Sequence, residues 1–166
     1  MDQQPGKLFL VSLTVLRCLL AAWIGAAVLF VITSVAEQTS GNFDSVVRDQ
    51  LAVIRFPHYY RFGFGLYAAC GLLAMVVWRT ALTAHRRRFL AVLLLIAISA
   101  VLITLDYQLV YLPLEAAITP PGQARTQEFI RLHNLSRHAN EAHLTLMALA
   151  AIVAAVPCRL PPRTSG

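Results

Sequence analysis

The sequence predicts an all-α integral membrane protein that crosses a bilayer four times as a helical bundle. The chain has 166 residues, of which 58% are hydrophobic and only 13% are charged, whereas about a quarter of the residues in a soluble domain are charged. Apolar runs recur four times, and a run of about 20 residues suffices to cross about 30 Å of hydrocarbon. Because these runs and their connections use the whole length, we predict one transmembrane domain, residues 1–166, without a separate soluble domain.

The first two spans are separated by a polar stretch. The first span is predicted at residues 8–33 and is interrupted only by Arg17, which is expected to snorkel towards the nearer membrane surface. Residues 37–56 are predicted to form a loop with one surface helix. The second span is predicted at residues 57–78, beginning at Pro57, because proline suits the first turn of a helix, where its missing N–H would be unpaired.

The last two spans differ in polarity. The third, at residues 89–113, is strongly apolar until Asp106. The fourth helix is predicted to begin near Thr126 and to end before Pro157, with a span at residues 129–156. Only its second half is continuously apolar, so we expect the first half to hide its polar side chains from lipid.

The distribution of basic residues predicts that both termini are cytoplasmic, because cytoplasmic connections are rich in lysine and arginine. The proposed cytoplasmic side carries Lys7, Arg79, Arg86, Arg87, Arg88, Arg159 and Arg163. The opposite side carries Arg48, Arg55, Arg125, Arg131 and Arg137, which are interspersed with acids. The net charge of +6 therefore suits anionic lipid headgroups in a plasma or bacterial inner membrane, and we predict no nucleic-acid partner.

Unusual polar residues gather in the outer half of the predicted bundle, on its second, third and fourth helices. Phe129, His133, Ser136 and Asn140 recur at spacings of four, three and four, which places them on one helical stripe. Asp106 is expected to pair with Arg61, since an intramembrane charge is costly without a partner or water. The predicted polar pocket comprises His58, Tyr60, Arg61, Asp106, Gln108, His133, Ser136, Arg137, Asn140 and Glu141.

Three functions fit this pocket. The preferred one is binding or passing a small solute, ion or lipid. The alternative is a structural or assembly subunit whose polar stripe bonds to other helices, including those of a partner membrane protein. The second alternative is a cofactor protein, with haem between His58 and either His133 or His143, or copper or zinc on the fourth helix. Three histidines five residues apart do not converge on one ion. Haem needs two axial histidines at matched depth, and only His58 lies near that level outside the fourth helix. No metal or cofactor is therefore predicted.

Catalysis is not indicated by any motif. The sequence contains no GxSxG, HExxH or glycine-rich phosphate loop, and Ser136 has no evident partners for a catalytic triad. We therefore predict no catalytic residues and a protein that is not an enzyme.

The fourth-helix stripe resembles the signature of the small membrane family typified by transmembrane protein 205, in which F, H, S and N occur at these spacings. Residues 56–60 and 23–25 are similar to corresponding parts of that family, and the resemblance extends from about residue 16 to 156. It implies a four-span membrane domain whose activity is not established, with His133, Ser136 and Asn140 as the motif residues. Arg137 and His138 depart from the family pattern, as does a short loop before the fourth helix, which leaves partner binding by that loop open.

Overall fold

The computed structural model describes residues 6–158, and every regular element in this range is helical. The helices are α1 (Lys7–Thr39), α2 (Ser45–Thr80), α3 (Thr83–Asp106), a π-helical turn (Tyr107–Tyr111), α4 (Leu112–Ala117) and α5 (Gln127–Ala155). The prediction of an all-α fold is confirmed. Arg159 and Arg163, which contributed to the predicted orientation, lie outside the described residues.

The four long helices form an antiparallel bundle in which α1 and α3 each pack against both α2 and α5. We call the end that holds Lys7, Thr80, Thr83 and Ala155 the terminal end, and the opposite end the loop end. Helix α1 has 33 residues and α2 has 36, so each is about 50 Å long. Both helices are therefore longer than a hydrocarbon layer of about 30 Å is thick.

Three segments are long and apolar enough to cross a membrane: Lys7–Thr39, Ser45–Thr80 and Thr83–Ala117. Their outward surfaces carry large aliphatic side chains, including Leu72, which is 68% exposed. Such a surface is suited to lipid. Helix α5, with 29 residues, is not among these segments, so the fourth span stays a prediction.

The second helix begins much earlier than its sequence suggests. Asp44 caps α2, since its side chain accepts a hydrogen bond from the Val47 N–H at 2.9 Å, and Pro57 lies inside the helix. The prediction that this helix begins at Pro57 is therefore wrong. The amphipathic segment before the proline has its own N-cap and continues into the span, so a single missing backbone hydrogen bond does not end the helix.

The fourth long helix has the predicted limits. The Thr126 side chain accepts a hydrogen bond from the Phe129 N–H at 3.1 Å, which caps α5 at its first residue, Gln127. The helix ends at Ala155, before Pro157. Its start near Thr126 and its end before Pro157 are thus confirmed, and both follow from local capping and proline chemistry.

At the terminal end, two arginines bind the last carbonyl groups of α5. Arg17 donates from Nε to the Ala154 carbonyl oxygen at 2.8 Å, and Arg88 donates from Nη2 to the Val156 carbonyl oxygen at 2.6 Å. Cations stabilise a helix C-terminus because unpaired carbonyls concentrate negative charge there. Arg17 therefore reaches the end of α5 at the terminal end of the bundle, and the expectation that it snorkels to the membrane surface stays a prediction.

Substitution of Arg88 by alanine is expected to lower the free energy of unfolding by about 1–2 kcal/mol, because the α5 terminus loses a charged donor. Arg87→Ala is the matched control, since Arg87 is exposed, and its effect should stay within about 0.5 kcal/mol. Titration of the purified, micelle-embedded protein with sodium dodecyl sulfate, followed by circular dichroism, measures both. Equal effects of the two substitutions would contradict the capping role.

Candidate functional site

A buried polar cluster joins three helices in the loop-end half of the bundle. Asp106, at the end of α3, is 4% exposed. Its Oδ2 accepts a hydrogen bond from the Tyr60 hydroxyl of α2 at 2.6 Å and a longer one from Ser136 Oγ of α5 at 3.5 Å. We call these three residues the Asp106 cluster. The π-helical turn begins at the next residue, Tyr107, and such turns are frequent near functional sites.

Nearer the terminal end, a second set of hydrogen bonds surrounds His143. The Tyr67 hydroxyl lies 2.6 Å from Ser99 Oγ and 3.2 Å from His143 Nδ1, and Ser99 Oγ also donates to the His143 carbonyl oxygen at 2.8 Å. His143 and Ser99 are almost completely buried. These bonds satisfy polar groups that lipid cannot hydrate, and they link α2, α3 and α5.

On α1, Trp23 packs against aromatic rings of α2 and α5, and we call this group of rings the aromatic layer. Its ring lies 5.4 Å from that of Tyr59, 5.6 Å from that of Tyr67 and 6.4 Å from that of His143. Gly63 allows the close approach, because a Cβ atom added there would lie 2.8 Å from Cη2 of Trp23. The Tyr59 hydroxyl in turn donates to Asn140 Oδ1 at 2.9 Å.

The structure brings only some of the predicted pocket residues together. The Tyr60 and Ser136 hydroxyls both bond to Asp106. Asn140 bonds to Tyr59, whose ring packs against that of Tyr60. Five others have outward-facing, exposed side chains: His58, Arg61, Gln108, Arg137 and Glu141. His133 is also exposed and lines a cavity nearer the loop end.

One specific expectation is therefore wrong. Among residues 6–158, Asp106 makes no salt bridge, and Arg61 is exposed instead of paired with it. The adjacent positions 60 and 61 differ by about 100° around the helix, so only Tyr60 faces the interior. In the single chain, the first half of α5 has exposed charged side chains, and the i,i+4 ion pair of Arg137 and Glu141, at 3.9 Å, lies on its outer surface. The expectation that the polar residues of this half are hidden from lipid stays a prediction.

A cavity of about 400 Å³ opens at the loop end, between α1, α2, α4 and α5. Its apolar wall includes Val35, Ala52, Val53, Phe56, Leu114, Ile118 and Phe129. Its polar wall includes Ser34, Gln38, Asp49, Arg55, Glu115, Arg125 and His133. Most of the surface that lines the cavity is apolar, as in small-molecule sites, where polar groups fix the orientation of the ligand.

Asp49 is the most enclosed charged group of the cavity wall, at 2% exposure. Its Oδ1 pairs with the Arg125 guanidinium, and its Oδ2 accepts a hydrogen bond from the Gly122 N–H at 2.9 Å. Arg125 also lies over the Phe129 ring, 4.4 Å from the ring centre. This pair ties the start of α2 to the loop before α5 and so closes one side of the cavity.

A second ion pair holds Arg55 of the cavity wall. Arg55 Nη1 lies 2.5 Å from Glu37 Oε2, and its guanidinium also stands over the Phe30 ring at 5.4 Å. On another wall, the Tyr111 hydroxyl donates to Glu115 Oε1 at 2.9 Å. The charged groups that line the cavity thus have partners of their own, and a ligand need not neutralise them.

One periodic pattern in the sequence indicates a wall of this cavity. Asp49, Val53, Phe56 and Tyr60 recur at spacings of four, three and four, which places Asp49 on the inward face of one continuous helix. A helix start at Pro57 would divide this pattern, since Asp49, Val53 and Phe56 precede the proline. No residue signal pointed to Ser99 or Tyr67, whose roles depend on contacts between helices.

Within residues 6–158, no group of three or more His, Cys, Asp or Glu side chains is arranged to hold a metal ion. The histidines considered for haem have different surroundings: His58 and His133 are exposed, whereas His143 is buried against Tyr67. A comparison with protein-family models, curated proteins and solved structures finds no match. The resemblance to the transmembrane protein 205 family therefore stays a prediction.

Proposed function

We propose that this chain is a multi-pass protein of a plasma or bacterial inner membrane that binds a small amphipathic molecule in its loop-end cavity. The cavity is the observation that carries the proposal: its volume of about 400 Å³ suits a small ligand, and most of its lining surface is apolar although polar side chains also reach it. Lipids and related amphipathic solutes combine an apolar body with a polar group in the same way.

The position of the cavity along the bundle supports a ligand from the membrane surface. At 1.5 Å per residue, Ala52 lies about 42 Å from Thr80 along α2, and Phe129 lies about 39 Å from Ala155 along α5. If the basic terminal end stands at the cytoplasmic headgroups, as we propose from the arginine distribution, the hydrocarbon ends about 30 Å further out. The cavity then lies at the outer headgroup level.

The interior below the cavity favours binding over passage through the bundle. The Asp106 cluster and the aromatic layer around Trp23 fill the space between the four long helices. Trp23 and His143 are almost completely buried there. A solute would have to displace these packed groups to cross the bundle, whereas it can occupy the cavity without doing so.

The alternative function, a structural role in helix packing, is supported for the polar stripe on α5. Ser136 and Asn140 bond to Asp106 and Tyr59 of the same chain, as expected of polar residues that hold a membrane bundle together. We propose that this stripe serves assembly within the chain and that the cavity serves binding. Membership of the family typified by transmembrane protein 205 is part of the same proposal, supported by the stripe motif.

Filling the cavity tests the proposal. Ala52 lines the cavity, whereas Ala68, on the same helix, is exposed on the outer surface. We expect Ala52→Trp to weaken binding of dansyl-undecanoate, a fluorescent amphipathic probe, at least tenfold, and Ala68→Trp to leave it unchanged. Fluorescence titration of the purified protein in nanodiscs measures both, with circular dichroism as the check on folding. Equal binding by the wild type and a folded Ala52→Trp variant would contradict the proposal.

A further inference from the structure

The loop-end cavity carries a negative charge that no salt bridge within residues 6–158 neutralises. Four charged side chains line the cavity: Asp49, Arg55, Glu115 and Arg125. Arg125 is paired with Asp49, and Arg55 is paired with Glu37. Glu115 makes no salt bridge in this part of the chain. Both arginines are therefore neutralised by carboxylates of their own, and the charge of Glu115 remains.

The single hydrogen-bond partner of Glu115 is a neutral group. The Tyr111 hydroxyl donates to Oε1 at 2.9 Å, so this oxygen is satisfied without loss of its charge. The other oxygen, Oε2, accepts no hydrogen bond from the described residues and is not hidden by packing. Because Glu115 is only partly buried and lines the cavity, a ligand can reach Oε2. A charged donor suits this oxygen best, since charge-assisted hydrogen bonds are roughly twice as strong as neutral ones.

The neighbours of Glu115 on the cavity wall are apolar. Leu114 and Ile118 come from the same helix, and Phe56 of α2 stacks on Tyr111 with ring centres 5.8 Å apart. In water, two opposite unit charges about 4 Å apart attract by about a factor of five in affinity, and apolar surroundings increase this factor. The same side chains offer contact to a hydrocarbon chain. The wall therefore combines one carboxylate with an apolar surface beside it.

An anionic ligand finds no comparable partner in the cavity. The Arg125 guanidinium is engaged by Asp49 and by the Phe129 ring, 4.4 Å from the ring centre. For Arg55, which Glu37 neutralises, Nε and Nη1 are buried. A carboxylate or phosphate in the cavity would meet the charge of Glu115 without an unpaired cation to offset it.

We propose that the ligand of the loop-end cavity is a cationic amphiphile, whose ammonium group pairs with Glu115 and whose hydrocarbon chain lies on the apolar wall. This inference rests on the proposed function and adds the chemical class of the ligand. The ammonium group donates to Glu115 Oε2, while Tyr111 continues to donate to Oε1. A probe with a carboxylate head, such as dansyl-undecanoate, then binds through its chain alone and more weakly.

Two probes that differ only in their charged group test the proposal. Dansyl-undecylamine has an ammonium group where dansyl-undecanoate has a carboxylate. In nanodiscs of phosphatidylcholine, with binding to empty nanodiscs subtracted, we expect the wild type to bind the amine about fivefold or more tightly than the carboxylate. Glu115→Gln should bind the two within about twofold of each other. Glu128→Gln is the control and should keep the preference, since Glu128 is 60% exposed, pairs with Arg131 and does not line the cavity.

The variants separate this inference from the proposed function. If the wild type binds both probes equally or favours the carboxylate, or if a folded Glu115→Gln variant keeps the preference for the amine, the ammonium group does not pair with Glu115. Ala52→Trp still reports in those cases whether the probes occupy the cavity. If Ala52→Trp weakens neither probe, or if the wild type binds neither, the cavity is not the site and the proposed function fails as well.

Competition identifies the source of the ammonium group. Octylamine represents a free single-chain amine, octanol is its uncharged control, and phosphatidylethanolamine in the nanodisc represents an amine on a lipid headgroup. A cavity of about 400 Å³ lies near the lower limit for small-molecule sites, so we expect displacement of dansyl-undecylamine by octylamine and not by octanol. Displacement by phosphatidylethanolamine would assign the ammonium group to a lipid. Displacement by neither amine, or equally by octanol, would overturn the proposal.

Discussion

Replacement of Trp23 by alanine is expected to lower the free energy of unfolding of the bundle by about 3–5 kcal/mol. The side chain is completely buried and contacts aromatic rings on both α2 and α5. In a membrane the lost energy is mainly dispersion and ring contact, since lipid tails also solvate an apolar side chain. The rigid layer around Tyr59, Tyr67 and His143 cannot collapse into the space without breaking its own hydrogen bonds.

The second tryptophan provides the control for this experiment. Trp78 lies at the terminal end of α2, is only partly buried, and stands 5.3 Å from the Arg86 guanidinium. Trp78→Ala is expected to cost no more than about 1.5 kcal/mol, because membrane or water can replace much of what the ring touches. Steric trapping of unfolding in bicelles measures both variants. If Trp23→Ala lowers the free energy of unfolding no more than Trp78→Ala does, the aromatic layer around Trp23 repacks to fill the space.

Local chemistry in the sequence was sufficient to predict the class of fold and the limits of α5. Thr126 supplies a cap and Pro157 a stop, and both act over a few residues. The start of α2 was mispredicted because Pro57 was given more weight than Asp44, although a proline in a long apolar helix costs one hydrogen bond and does not end it when the flanking turns are stable.

The sequence predicted how far along each helix the candidate-site residues lie, but not which of them face the interior of the bundle. His58, Arg61 and Gln108 are close in height to Tyr60 and Asp106, as counting residues along each span suggested. Which of them faces inward depends on how each helix is rotated about its own axis, and a strongly apolar helix has no amphipathic pattern that fixes this angle. The contact between Tyr60 and Asp106 therefore had to be learned from the packed structure.

The cavity could not be predicted from the sequence, for a different reason. Its walls come from α1, α2, α4, α5 and the loop before α5, and its volume depends on how far these segments stand apart. Helix spacing is set by the side chains at each crossing, as at Gly63 against Trp23. Residue identities along one helix do not determine such distances between helices.

Removal of the Arg125 charge is expected to destabilise the loop end more than removal of its partner does. Arg125→Met preserves most of the apolar stem over Phe129 but leaves the Asp49 carboxylate, which is 2% exposed, with the Gly122 N–H as its remaining hydrogen-bond donor. Breaking a buried ion pair in this way costs about 3 kcal/mol, because the remaining charge stays out of water. The cost appears as a lower free energy of unfolding.

Asp49→Ala is the informative comparison, because it breaks the same ion pair but leaves the Arg125 guanidinium and not the Asp49 carboxylate without a partner. The Arg125 side chain is 35% exposed and regains water when its partner is removed, so we expect a cost of about 1–2 kcal/mol. The double variant should resemble Asp49→Ala, since no buried charge is left behind. Unfolding of all three proteins by sodium dodecyl sulfate gives this ranking directly. A larger cost for Asp49→Ala than for Arg125→Met would show that the hydrogen bond to Gly122, and not the burial of charge, holds the loop against α2.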